Sequence, residues 1–244
     1  MRLSGKRIVI SGGSRGLGKA LAQRFAREGA KIALCSRREE SLETVAKELQ
    51  AIGTEVVWQA SDIGNAKQVE QFASRVLDEF DYVDVLVNNA STVVPLKNIA
   101  EYSTDEWDEV IRVNVNGLFY FTRAFLPSMI KRKAGTIINV SSSVGRTTRA
   151  KWGAYSVSKY TMEGFTQILA DELRPYNISI NTVNPGALAT EMRRTVHPEE
   201  DQAQLRTPEM VTELFVYLAS NDGIGISGQQ LDASTYIPPP KEKS

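Results

Sequence analysis

KRIVISGGSRGLGKALAQRFAREG, residues 6–29, decides the architecture. The apolar, β-branched run Ile8-Val9-Ile10 feeds directly into Ser11-Gly12-Gly13-Ser14-Arg15-Gly16-Leu17-Gly18. A helical period over about 16–28 follows and stops at Gly29. A strand apolar at consecutive positions is buried on both faces, as in a parallel sheet. Glycines let the turn tighten and let backbone approach a pyrophosphate, while the first amides of the next helix lack partners inside it. The spacing is G-x-x-x-G-x-G, not the commoner G-x-G-x-x-G. Its place between strand and helix makes Gly12, Ser14, Arg15, Gly16, Leu17 and Gly18 the phosphate-facing positions of a nucleotide site.

The same alternation continues outward. Strands are predicted at 30–36, 54–60, 83–89, 135–141 and 178–184, most of them near-continuously apolar. A helix over about 39–52 carries Leu42, Val45, Ala46, Leu49 and Ile52 on one stripe, with Gly53 as its stop. Strand–helix alternation implies right-handed crossovers. The fold class is therefore α/β: a single Rossmann-type doubly wound parallel sheet of about seven strands, with helices on both faces. One domain is expected over 1–235, with the proline-rich, charged stretch 236–244 as a flexible tail. Helices at about 104–131 and 153–173 are apolar over more than one face, which points to a homodimer or homotetramer formed through them.

Composition excludes several classes. Of the 244 residues 42% are hydrophobic, which suffices for a sizeable core, and 29 basic residues balance 29 acidic ones. Nothing suggests nucleic-acid or membrane binding. One cysteine (Cys35) and one histidine (His197) cannot supply the usual zinc ligands, so no metal site is expected. A cytoplasmic location is expected from the lone cysteine and the short apolar run at the N-terminus. His197 reads as a plain surface histidine in a mobile polar segment.

The end of the second predicted strand bears on nucleotide choice. Selectivity for NAD usually uses a carboxylate there for the ribose 2′-hydroxyl. Here the strand ends Cys35-Ser36-Arg37-Arg38, and Arg15 belongs to the same side. Guanidinium groups suit a 2′-phosphate, so NADP(H) is the expected cofactor. After the third strand, Asp62 could accept from an adenine amino group with Ile63 covering the ring; Asp62 could equally cap the helix starting near Ala66. Asn88-Asn89-Ala90 closes the fourth strand where a cofactor would cross the sheet edge.

Proton chemistry is suggested by Tyr155 and Lys159, which share a helix face at i and i+4, and by Ser142 just past the fifth strand. An ammonium beside a phenol favours the phenolate and would bring Tyr155 toward operating pH as a general acid/base, while Ser142 orients the reacting oxygen. Alone, a Tyr-x-x-x-Lys pair is weak.

Taken together, the chain resembles the short-chain dehydrogenases/reductases over nearly its whole length, to about residue 232. Their glycine motif matches Gly12, Gly16 and Gly18, their Asn-Asn-Ala motif matches 88–90, and their tetrad matches Asn114, Ser142, Tyr155 and Lys159. The resemblance implies that Asn114 holds a water in a proton relay and that Lys159 bonds the nicotinamide ribose. It also implies that Pro185-Gly186 and Thr190 border the nicotinamide. The activity it implies is NADP-dependent hydride transfer between a nicotinamide and a carbonyl or alcohol. A catalytically silent dinucleotide-binding sensor or scaffold is the alternative. The chain departs from the pattern in four places: Ser11 stands for Thr, Ser91 stands where Gly commonly follows Asn-Asn-Ala, the substrate-covering segment after Thr190 is short, and Asp232-Ala233-Ser234 replaces Asp-Gly-Gly. Pocket walls are expected from 91–96, 144–152 and 187–194, with Arg146 and Arg149 able to attract an anionic substrate.

Overall fold

The computed structural model describes residues 1–237. Seven parallel strands form one sheet in the order β3-β2-β1-β4-β5-β6-β7. These are β1 (Arg7–Ser11), β2 (Lys31–Ser36), β3 (Val56–Ala60), β4 (Val85–Asn88), β5 (Gly135–Val140), β6 (Ile178–Asn184) and β7 (Gln230–Asp232). The helices between them are α1 (Gly16–Arg27), α2 (Glu39–Ala51), α3 (Ala66–Phe80), α4 (Thr104–Ile111), α5 (Gly117–Arg132), α6 (Gly153–Leu173), α7 (Glu191–Val196) and α8 (Thr212–Ala219).

Side chains alternate across a strand, and the two resulting faces build two cores. Ile8, Ile10, Ile32, Leu34, Val85 and Val87 face one layer with Phe25, Leu42 and Phe215. Val9, Ala33, Cys35, Leu86, Ile137 and Ile180 face the other with Phe72, Phe121 and Phe125. Cys35 is fully buried, and that burial pushes its thiol up to about 12, so it is a core residue. Because both faces are covered, near-continuous apolar strands are what the sheet requires. β1 pairs with β2 on one side and β4 on the other, so strand order reverses between β1 and β4. In such sheets a crevice opens at that reversal, outside the carboxyl ends of the strands.

Three elements differ from the sequence reading. The span 104–131 is not one regular helix: between α4 and α5 lies a π-helical turn over Arg112–Asn116. The seventh strand is the short β7, only partly buried. In the stretch expected to be a tail, Tyr236 packs its ring 5.6 Å from that of Tyr217 and joins the edge of one core; residues 238–244 lie outside the described residues. Among the described residues no helix is long and apolar enough to cross a membrane.

Candidate active site

A cavity of about 450 Å³ runs along the carboxyl ends of the central strands. Its floor is the β1–α1 turn, where Gly12 has a φ of 71° and Gly16 a φ of 53°, both in the region that favours glycine. A Cβ on Gly12 would come within 2.9 Å of Ala90, and one on Gly18 would run into the Gly12 carbonyl. Gly18 thus does not line the cavity but lets α1 sit tightly on the loop. Arg15 at the N-cap makes no side-chain cap, so the first amides of α1 remain available. Ser11, at the end of β1, keeps a hydroxyl at this position: its Oγ accepts from the amides of Asn89 and Ala90, each at 3.1 Å. The Asn89 side chain donates back to the carbonyls of Ser11 and Gly12 at 3.0 and 3.1 Å. Asn88 is buried below, donating to Thr122 and Asn139, and belongs to the core.

The outer end of the cavity is lined by Ser36, Arg37, Arg38, Asp62 and Ile63. Arg15 pairs with Glu191, and Arg37 with Glu109 at 3.3 Å, while Arg38 makes no ion pair among the described residues. Asp62 does not cap α3; Asn65 does, accepting from the Gln68 amide at 3.2 Å. The Asp62 carboxylate instead accepts from the Gly64 amide and from Arg112, both at 2.9 Å. Buried hydroxyls of Ser36, Ser61 and Ser91 lack partners among the described residues, and all three line the cavity. A polar groove with glycine-cleared backbone and orphaned hydroxyls fits a dinucleotide, which supplies acceptor oxygens along its length.

At the inner end Ser142, Tyr155 and Lys159 line one wall, with Pro185, Gly186 and Thr190 opposite. Lys159 is 2% exposed, its Nζ donating to the Val140 carbonyl at 2.7 Å and lying 5.5 Å from the centroid of the Tyr155 ring. Burial pulls its ammonium down to about 8, with Glu163 one turn further along pulling the other way. The phenol runs contrary to expectation. Burial pushes Tyr155 up to about 12, against the opposing influence of the Ser91 and Ser142 hydroxyls. The chain's own groups therefore hold this tyrosine protonated; the neighbouring lysine does not by itself make it acidic. Asn114 does not line the cavity. Sitting in the π turn, it accepts from the Thr92 amide at 2.8 Å and donates to the Thr92 carbonyl and to Ser158 at 2.9 and 3.0 Å. π turns commonly occur at functional sites. Thr190 caps α7 by accepting from the Arg193 amide at 3.2 Å.

Arg146 is not available to a substrate. It donates to Glu163 at 3.2 Å, Asp232 at 3.1 Å, Thr182 at 3.3 Å and the Leu231 carbonyl at 3.2 Å. Glu163 is buried and also accepts from Ser141 and Thr182. Its members lie 17 and 86 residues apart, so no local spacing in the sequence announces the network. Arg149 is exposed and does not line the cavity. His197 is no free surface side chain either: its ring packs 5.9 Å from Trp152, which lies 5.8 Å from Tyr155. The substrate side of the cavity is otherwise Val93, Met192, Val196 and Arg193, the last paired with Glu200 at 2.5 Å.

The model of the family described as short chain dehydrogenase matches residues 6–201. This chain belongs to that family. Among curated proteins, the uncharacterized oxidoreductase YciK of Escherichia coli (strain K12) is 35% identical, the match spanning 95% of this chain and 92% of YciK. The 3-oxoacyl-(acyl-carrier-protein) reductase FabG of Thermotoga maritima is 32% identical over 94% of this chain and 96% of its own. A short chain dehydrogenase structure from Shigella flexneri, complexed with NADP, superposes with a TM-score of 0.91 at 34% identity, covering 96% of this chain and 99% of that one.

Proposed function

We propose that this short-chain dehydrogenase is an NADP(H)-dependent oxidoreductase acting on a carbonyl/alcohol pair, with Tyr155 as its general acid/base. The observation that carries the reading is the convergence of Ser142, Tyr155 and Lys159 on one cavity continuous with the glycine turn. A silent sensor would have no use for a fully buried lysine ammonium beside a phenol, which is costly to keep. When bound, the cofactor supplies or accepts the hydride. Tyr155, held protonated by its surroundings, donates to the carbonyl oxygen in the reductive direction. Ser142 hydrogen-bonds the same oxygen and fixes its distance from the phenol. Lys159 holds positive charge behind the ring, and Asn114 keeps the Thr92 backbone and Ser158 in place beside it.

The preference for NADP(H) is supported by the arginines at the end of β2 and by the NADP complex of the Shigella relative. The pairs Arg15–Glu191 and Arg37–Glu109 join half-exposed side chains, and such pairs are worth only about 0–1 kcal/mol. A 2′-phosphate offering bidentate, charge-assisted bonds can displace them. The outward faces of α5 and α6 expose Phe119, Val157, Tyr160 and Ile168, which supports assembly into a homodimer or homotetramer through these helices. The buried free thiol of Cys35 suits a reducing compartment, and we place the protein in the cytoplasm.

The test is a panel of ketones, quinones, sugars and 3-oxoacyl thioesters assayed with NADPH and NADH in parallel. Tyr155→Phe is expected to bind NADPH normally while turnover falls by orders of magnitude. Undiminished turnover in that variant refutes the assignment.

A further inference from the structure

Ser91 occupies a position where the resembling family commonly has glycine, so its side chain is an addition to the site. Its backbone is clamped on both sides. Asn89 and Ala90 donate their amides to Ser11 Oγ, and Thr92 is held at both its amide and its carbonyl by Asn114. Between two pinned neighbours, the Ser91 Cα cannot drift, and its hydroxyl has only the few staggered rotamers to choose from. The hydroxyl lies in the cavity wall shared with Tyr155 and Ser142, buried and without a well-formed hydrogen bond among the described residues. A buried hydroxyl left unpaired is costly, so one kept in so rigid a frame is placed for a partner formed during function. It is near enough to the phenol to oppose the effect of burial on it, as Ser142 is.

We propose that Ser91 is a further positioning residue of the Tyr155 centre, donating its hydroxyl to the phenolic oxygen when that oxygen is ionised. Ser142 reaches the phenol from the end of β5; Ser91 reaches it from the loop after β4. Two hydroxyls from different strands fix the oxygen in place and relieve the burial that otherwise disfavours its charge. The other titratable or charged groups around the phenol are Lys159 on its own helix, Glu163 one turn beyond, His197 behind Trp152, and the Arg193–Glu200 pair across the cavity. On the β4 side Tyr102 packs at the start of α6 with Lys97 near its ring, and of that side's hydroxyls among the described residues only that of Ser91 lines the cavity.

The proposal rests on Tyr155 being the proton-transferring group, and its test separates the two claims. The ionisation of Tyr155 is followed by NMR on protein carrying isotope-labelled tyrosine, in saturating NADP⁺, with Tyr155→Phe identifying the resonance. In Ser91→Ala the midpoint is expected to rise by about half to one pH unit, which lowers the phenolate fraction below the midpoint by about three- to tenfold. Ser91→Thr, which keeps the hydroxyl, is expected to titrate like the wild type. Should Ser91→Ala fail to fold, Ser91→Gly replaces it, since glycine is the residue the family commonly carries there. An unchanged midpoint in the hydroxyl-free variant, or an equal rise in Ser91→Thr, overturns the proposal. Failure of the underlying reading has a different signature: Tyr155→Phe would keep its turnover whatever the titration shows.

Discussion

Lys159→Met is expected to make the protein more stable and inactive. The wild-type ammonium is buried, and burial pulls it from its ordinary value of 10.5 down to about 8. That difference corresponds to about 3 kcal/mol of penalty for carrying the charge at neutral pH. Methionine has a similar reach and no charge, so the penalty disappears. Against this, the Val140 carbonyl loses the donor that sits at 2.7 Å, which takes back about 1–2 kcal/mol. The net gain is about 1–2 kcal/mol, or a rise in Tm of roughly 2–8 °C for a chain of this size. The pH dependence carries the sharper test. The folded-state value is lowered, so between about 8 and 10.5 the unfolded chain binds more protons than the native one, and wild-type stability rises through that window on account of this group. The advantage of the variant is therefore full at pH 7, disappears at about pH 9 as about 1.4 kcal/mol of the penalty is lost per pH unit, and has reversed by 10.5, where only the lost hydrogen bond counts. Thermal unfolding of both proteins without added nucleotide, compared as a difference at each pH, measures it. A variant less stable than wild type at neutral pH, or a difference that does not shrink in alkali, refutes the reasoning.

Further outcomes follow from the ion pairs and the exposed faces. Arg146→Met leaves the Glu163 carboxylate buried without its cation, and is expected to cost about 3–5 kcal/mol, read as a lower urea midpoint. Arg38→Ala removes a guanidinium that makes no competing pair among the described residues; KM for NADPH should rise about 10- to 100-fold while that for NADH stays put, as steady-state kinetics would report. If the proposed homo-oligomer forms through α5 and α6, Ile168→Glu, which places a charge on a residue 60% exposed on α6, should reduce it to a 27.0 kDa monomer in sedimentation, with little change in folding.

The parts legible in the sequence were those whose signal is local. β1, β2 and β4 announce themselves by the unbroken apolar runs Ile8–Ile10, Ile32–Cys35 and Val85–Val87, and the glycine turn by its place between strand and helix. β7 is three residues long, Gln-Leu-Asp, and is held by its register with β6 and by Arg146, both in place only after the rest of the chain has turned back; no periodicity can reveal that. The π turn keeps the apolar stripe of the surrounding helix almost unbroken, so 104–131 reads as one element. Charge partners are invisible at a distance. Arg146 looks free in the sequence because Asp232 comes at the other end of the chain, and His197 looks loose because Trp152 reaches it only once the cavity has formed. The same limit affected Tyr155: adjacency to Lys159 is a property of spacing, whereas the burial that outweighs it is a property of the whole fold.

The turn over Arg112–Asn116 also sets how the molecule can change over generations. Arg112 reaches Asp62 on the outer half of the groove, and Asn114, two residues on, holds the loop beside the proton-transfer centre. Both reaches depend on one surplus residue in the helical path. Deleting one residue there would let the helix close into a regular spiral with its two halves still in phase, but would remove the wide turn from which Arg112 and Asn114 reach out. Drift by insertion or loss, tolerated in the loops of such a protein, is thereby closed to this stretch, and only replacement of side chains in place remains open to it.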